Sequence, residues 1–158
     1  AFSNFAEMPA QESELLDVVK IAQLAMDIFT EKYVVLETPN QPLLARLDRT
    51  QLIRILTNLV KNAIQACAET PNPSILVQVE GIDNKVCIRV IDNGAGIATE
   101  NLDKIFEPKF TTKSSGMGLG LAMVKNIVET YEGHIEFESN AANGTVFRVW
   151  LPLVNAET

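Results

Sequence analysis

Four short runs hold most of the residues in this chain that could do chemistry: NLVKNAIQA from Asn58, DNGAGI from Asp92, IFEPKFTTK from Ile105 and GMGLGL from Gly116. The second ends an apolar stretch in a carboxylate, Asp92, and continues through Gly94 and Gly96, which permit positive φ and close approach by a flat ring beside Ile97. An ionised Asp only accepts hydrogen bonds, so Asp92 would pair with the exocyclic amine of adenine and reject the carbonyl that guanine carries there. The competing reading of Asp-Asn-Gly is a plain hairpin turn, which the apolar Ile97 and a following helical pattern weaken.

The fourth run, Gly116, Met117, Gly118, Leu119, Gly120 and Leu121, brings backbone N–H groups to the start of a helix. The helix dipole adds positive potential there, so phosphates could dock without many basic side chains. It does not complete a dinucleotide fingerprint, because Met123 occupies the last required position, and no Walker A pattern occurs.

In the first run, Asn58, Asn62 and Gln65 share a helix face with Gln51, Arg54, Lys61 and Glu69, opposite Leu52, Ile53, Leu56, Leu59, Val60, Ala63, Ile64 and Cys67. An amide oxygen is a hard, neutral ligand suited to Mg²⁺ that shares its other positions with water and phosphate, which makes Asn62 the metal candidate. A solvated polar face is the ordinary alternative. Between the runs, Lys109, Thr111, Thr112, Lys113, Ser114 and Ser115 form a polar segment that could close as a lid over a γ-phosphate. Phe106, Pro108 and Phe110 would anchor its near end.

These residues need a scaffold. Leu15 to Phe29 reads as an amphipathic helix capped by Ser13. Strands follow at 33–37 and 43–47, and Asp48 caps a long helix to about Glu69. Strands 74–80 and 85–92 form a hairpin about Gly81 to Asn84, and Asp92 ends the second. A short helix spans 98–105, a long one runs from Gly116 to Tyr131, and strands 134–139 and 145–151 close the chain around Asn143-Gly144. About six strands and three main helices in this order predict an α+β two-layer sandwich with a mixed, mostly antiparallel sheet and the helices on one face.

At 158 residues and 47% hydrophobic composition, the chain is long enough for one domain with a sizeable core. The net charge of −7, with no basic run, argues against nucleic acid or an anionic membrane surface as main partner. No stretch is long and apolar enough to span a bilayer, so the segment reads as soluble; the cysteines point to a reducing, cytoplasmic setting, with a parent that could still be membrane-anchored. Cys67 and Cys87 lack metal-ligand spacing and read as buried, reduced thiols. The opening AFSNFAEMPA lacks an initiating Met and is stopped by Pro9, so residues 1–10 read as a stub of something longer and 11–158 as the domain.

With these motifs placed, the chain resembles the catalytic ATP-binding domain of two-component sensor histidine kinases, in the superfamily that also holds gyrase, HSP90 and MutL. NLVKNAIQA resembles the N box, DNGAGI the first glycine box, IFEPKFTTK the F box, GMGLGL the second glycine box and Asn143-Gly144-Thr145 the last turn of that family. The short FTTKSSGMG segment and the FSNFAEMP stub are most similar to nitrogen-regulation-type kinases, where the stub would end a dimerisation helix.

The resemblance implies a Bergerat-type sandwich with ATP and Mg as cofactors: Asp92 on the adenine amine, Asn62 on Mg²⁺ and phosphates, Asn58 on phosphates, Gly118 and Gly120 under the lid, Lys113 as its cation and Thr145 near the base. It also implies a dimerisation and phosphoacceptor domain and a response regulator as partners. The only histidine, His134, opens a strand without a neighbouring acidic general base, so the phosphoacceptor would lie outside this sequence. Related ATPases carry a glutamate where Asn58 stands, and an amide cannot take a proton from water. Phosphoryl transfer is therefore the expectation, with a conformational ATPase or a sensor module without transfer as alternatives.

Overall fold

A computed structural model of the chain describes residues 12–107, 118–140 and 142–154. Seven strands, three α-helices and one short 3₁₀ turn are present among them. A five-stranded sheet has the order β2 (Val34–Glu37), β4 (Ile75–Ile82), β5 (Lys85–Asp92), β7 (Gly144–Pro152), β6 (His134–Asn140). Only the β2–β4 pair is parallel; the other three are antiparallel, as neighbours joined by hairpins or packed across a helix layer allow. The expected mixed, mostly antiparallel sheet is thus present.

One expectation fails at the start. Glu14–Asp17 is a strand, β1, paired antiparallel with β3 (Leu44–Leu47), and α1 is only Val18–Met26. Its cap is Asp17, not Ser13: Asp17 Oδ1 accepts from Val19 N–H and from Leu43 N–H, both at 3.0 Å. Leu15 and Leu16 fit a helical period as well as a strand one, and the long-range partner β3 decides between them.

Helix α2 (Arg49–Ala66) begins where expected, with Asp48 Oδ1 accepting from Gln51 N–H at 3.2 Å. It buries Leu52, Ile55, Leu56, Leu59, Val60 and Ala63 against β4 and β5. Gln51, expected on the polar face, is buried as well. Helix α3 (Gly118–Thr130) packs beside α2 and over β6 and β7, while α1 lies along the other flank of α2. All three helices cover one face of the sheet, whose inward rows Ile75, Val77, Val79 and Val86, Ile88, Val90 complete the core. The expected short helix at 98–105 is reduced to a 3₁₀ turn, Thr99–Asn101, and further turns.

The β4–β5 hairpin turns at Asp83 and Asn84, with φ of 50° and 66°. Two successive positive φ values define the turn whose twist matches the strands, and Asp and Asn tolerate them best after glycine.

Candidate nucleotide site

Three elements meet at the C-terminal end of β5: the last turns of α2, the loop after Asp92 and the start of α3. They enclose a cavity of about 320 Å³ lined by Asn62, Ala66, Asp92, Ala95, Gly96, Ile97, Ala98, Asn101, Ile105, Leu121 and Thr145. That volume lies in the range of small-molecule sites.

Asp92 is 4% exposed although it carries a carboxylate. Burial raises its pKa above the ordinary value, against the pull of the Gly94 and Thr145 backbone N–H groups. Gly94 N–H meets Oδ1 at 2.8 Å. Thr145 lies opposite Asp92 in the β5–β7 register, which sets its side chain in the same cavity wall.

The loop is braced from below. Ala95 N–H donates to the Ala66 carbonyl at 3.0 Å, tying it to the end of α2. Asn93 points away from the cavity: its Oδ1 accepts from Ser74 N–H at 2.8 Å and its Nδ2 donates to the Asn72 carbonyl at 2.8 Å. Cys67 Sγ also donates to Asn93 Oδ1, at 3.6 Å. On the far side, Ile97 N–H donates to Ser139 Oγ at 2.8 Å.

Of the residues singled out in the sequence, Asn62, Asp92, Gly96, Ile97, Leu121 and Thr145 converge on this cavity. Gly94 is buried against Ala66 at the end of α2, and Gly120 is buried within α3. Asn58 Nδ2 is turned back to the Arg54 carbonyl at 2.8 Å. Gln65 borders a separate hollow with Ile28, Phe29 and Lys61. Gly118 and Leu119 open α3, while Thr112, Lys113, Gly116 and Met117 lie outside the described residues. Ala66, Ala95, Ala98, Asn101 and Ile105 also line the cavity; the alanines and Ile105 carry no chemical signature in sequence, and Asn101 stands in a turn outside the four runs.

Phe106 anchors the segment before Pro108, packing edge-on against Phe137 at 5.8 Å and Phe147 at 6.4 Å between ring centroids. Pro108 and Phe110 fall outside the described residues.

The donor set fits an adenine nucleotide. A buried acceptor and a hydroxyl stand at one end of a slot with Ala66, Ile97, Ile105 and Leu121 in its walls, which suits a flat heterocycle with an amine edge. For magnesium, the Asn62 amide is a suitable oxygen ligand. No cluster of three His, Cys, Asp or Glu exists among the described residues, so such an ion would depend on the phosphates of its nucleotide for further ligands. A second hollow at the start of α2 holds more charge, part of it paired: Arg49 with Glu14 at 3.3 Å, and Asp48 with the Glu12 and Gln51 N–H groups.

His134 stands apart from the cavity, on the sheet face away from the helices, stacked on Trp150 with ring centroids 6.0 Å apart. One expectation about it is corrected. Glu136, two residues along the same strand face, brings a carboxylate oxygen within 3.9 Å of Nε2, because side chains two apart on a strand share a side.

Fold and cavity together define a nucleotide-binding α/β sandwich with its site between helix, glycine loop and strand end. Residues 47–155 match the family model described as "Histidine kinase-, DNA gyrase B-, and HSP90-like ATPase", and the chain belongs to that family. It is similar to the sensor histidine kinase ZraS of Salmonella typhimurium (strain LT2), 38% identical over 161 residues, covering 90% of this chain and 34% of the relative. ZraS of Escherichia coli (strain K12) is 45% identical over 106 residues, covering 67% of this chain and 22% of the relative. The chain therefore spans about a third or less of the length of these relatives. Among solved structures, the nucleotide-free catalytic domain of the histidine kinase ThkA superposes with a TM-score of 0.79 at 34% identity, covering 90% of this chain and 96% of that one. The chain is a catalytic, ATP-binding domain of the sensor histidine kinase type. Among the described residues no helix is long and apolar enough to cross a membrane.

Proposed function

We propose that this domain holds Mg-ATP with the adenine amine on Asp92 and the phosphates toward Asn62 and the start of α3, and presents the γ-phosphoryl group to a histidine on a separate dimerisation domain. Residues 1–10 would belong to the connection to that domain and 11–158 to the catalytic one. An aspartate-bearing response regulator would receive the phosphoryl group afterwards.

One observation carries the reading. Asp92 is the one ionisable side chain among the described residues that line the cavity, and its place at the buried strand end suits recognition of the base rather than chemistry at the phosphates. Asn58, one helical turn before Asn62, commits its amide nitrogen to the Arg54 carbonyl and cannot accept a proton from water. No general base among these residues would direct water at the γ-phosphate, so the nucleotide is kept for an external acceptor. Catalysis then rests on positioning and charge stabilisation, to which bound magnesium would contribute by neutralising phosphate charge.

The test is to incubate the chain with a separately produced dimerisation domain of its parent kinase and γ-labelled ATP. Acid-labile, base-stable label on that domain, with negligible ATP turnover by the chain alone, is expected. Steady hydrolysis by the chain with no labelled histidine would instead establish an ATPase.

A further inference from the structure

Behind the cavity wall, a backbone N–H and two hydroxyls are joined by hydrogen bonds. Ser139 on β6 does not line the cavity, yet its Oγ accepts from Ile97 N–H at 2.8 Å and lies 2.7 Å from Thr145 Oγ1. Ser139 and Thr145 are register partners on β6 and β7, and Thr145, 4% exposed, meets the cavity beside Asp92.

A hydroxyl has one proton to give. Accepting an N–H polarises Ser139 and makes its O–H the better donor of the pair. The run of bonds then goes one way, from Ile97 N–H to Ser139 to Thr145, and leaves the Thr145 proton to be donated into the cavity. Next to the acceptor Asp92, this places a donor: the complement of a purine edge carrying an amine beside an unprotonated ring nitrogen. A 6-oxopurine presents the reverse, a carbonyl beside an N–H, and would meet acceptor with acceptor and donor with donor.

We propose that Ser139 is a positioning residue for purine selectivity, fixing Thr145 as a hydrogen-bond donor so that the site rejects 6-oxopurine nucleotides through two groups rather than through Asp92 alone. This rests on the proposed placement of the base against Asp92. In Ser139→Ala the Thr145 hydroxyl loses its donor and is free to turn its lone pair toward a ring N–H.

ATP and inosine triphosphate, which differ at this edge alone, test the idea by displacing a fluorescent ATP analogue from the magnesium-supplemented chain. Ser139→Ala is expected to lower the ATP-over-ITP preference by about 3- to 10-fold, the scale of one neutral hydrogen bond. Ser139→Thr, which keeps the hydroxyl, should retain the preference, and Thr145→Val should lower it as Ser139→Ala does. Equal weakening of both nucleotides in Ser139→Ala and Thr145→Val, with the preference intact, would overturn the proposal and leave a structural role only. Asp92→Asn separates this from failure of the underlying placement. A collapsed preference in Asp92→Asn beside an intact one in Ser139→Ala rejects the hydroxyl relay alone, whereas an intact preference in Asp92→Asn rejects the placement and the relay with it.

Discussion

Gly94 presses against the end of α2 so closely that a Cβ on it would lie 2.4 Å from the carbonyl oxygen of Ala66. That same oxygen accepts the Ala95 N–H. The glycine is needed for contact, since its φ is not among the positive ones, and the contact holds the loop against the end of α2.

Gly94→Ala should therefore push the loop off the helix, with an overpacking cost of about 1–3 kcal/mol. A melting temperature lowered by roughly 3–10 °C is expected, together with weaker nucleotide binding. An unchanged melting curve would show that the loop yields without loss.

Asp92→Asn keeps an oxygen for the Gly94 N–H but removes the charge. Nucleotide affinity should fall by about 1.5–3 kcal/mol, roughly 10- to 150-fold, as for loss of a charged hydrogen bond. The free protein should gain stability at neutral pH. Burial raises the folded-state pKa of Asp92 above its unfolded value, so its contribution to stability is fully present below the unfolded pKa and is lost as pH rises through the folded one. On the proposed placement of the base, binding should run the other way: the ionised form would accept the amine, and affinity should decline on acidification at a higher pH than an ordinary Asp, near 4, would produce. Both dependences should vanish in Asp92→Asn, as isothermal titration and thermal melts across pH would register.

Asn62→Ala should weaken Mg-ATP more than adenosine, since an amide on the metal has nothing to offer a nucleoside without phosphates. Comparing the two affinities with and without magnesium checks this. Equal losses would assign Asn62 a role in shaping the cavity instead.

The start of the domain gives a sharper structural test. Asp17→Ala removes an acceptor shared by α1 and the strand entering β3, and should cost about 1–2 kcal/mol. Ser13→Ala, at the position a longer helix would have used, should cost nothing measurable by chemical denaturation.

What could be foreseen followed the range of the forces involved. Asp48 is legible because cap and amphipathic period are local, and the β4–β5 hairpin because Asp83-Asn84 favours its own turn. Glu14–Asp17 is not legible as a strand because its strand state depends on Leu44–Leu47, some thirty positions away. The same limit hides the site's depth. Asp92 is conspicuous as an acid ending an apolar strand, but its neighbour Thr145 and the bridge through Ser139 exist only once β5, β7 and β6 are in register. Gln65 shares a helix face with Asn62 on paper yet borders another hollow, because the curvature of a helix surface separates neighbours that a sequence pattern groups together.

The bonds that hold the Asn93 side chain to Ser74, Asn72 and Cys67, with the Gly94 N–H tied to Asp92, also bear on how the protein should age. Asn-Gly pairs lose ammonia when the following nitrogen attacks the side-chain amide, and here both partners in that attack are restrained. Asn143, which precedes Gly144 at an exposed turn, has no such restraint on its side chain among the described residues. Storage at mildly alkaline pH should convert Asn143 to a mixture of aspartyl and isoaspartyl forms well before Asn93, so the first chemical damage should fall at the rim of the sheet and spare the loop after Asp92.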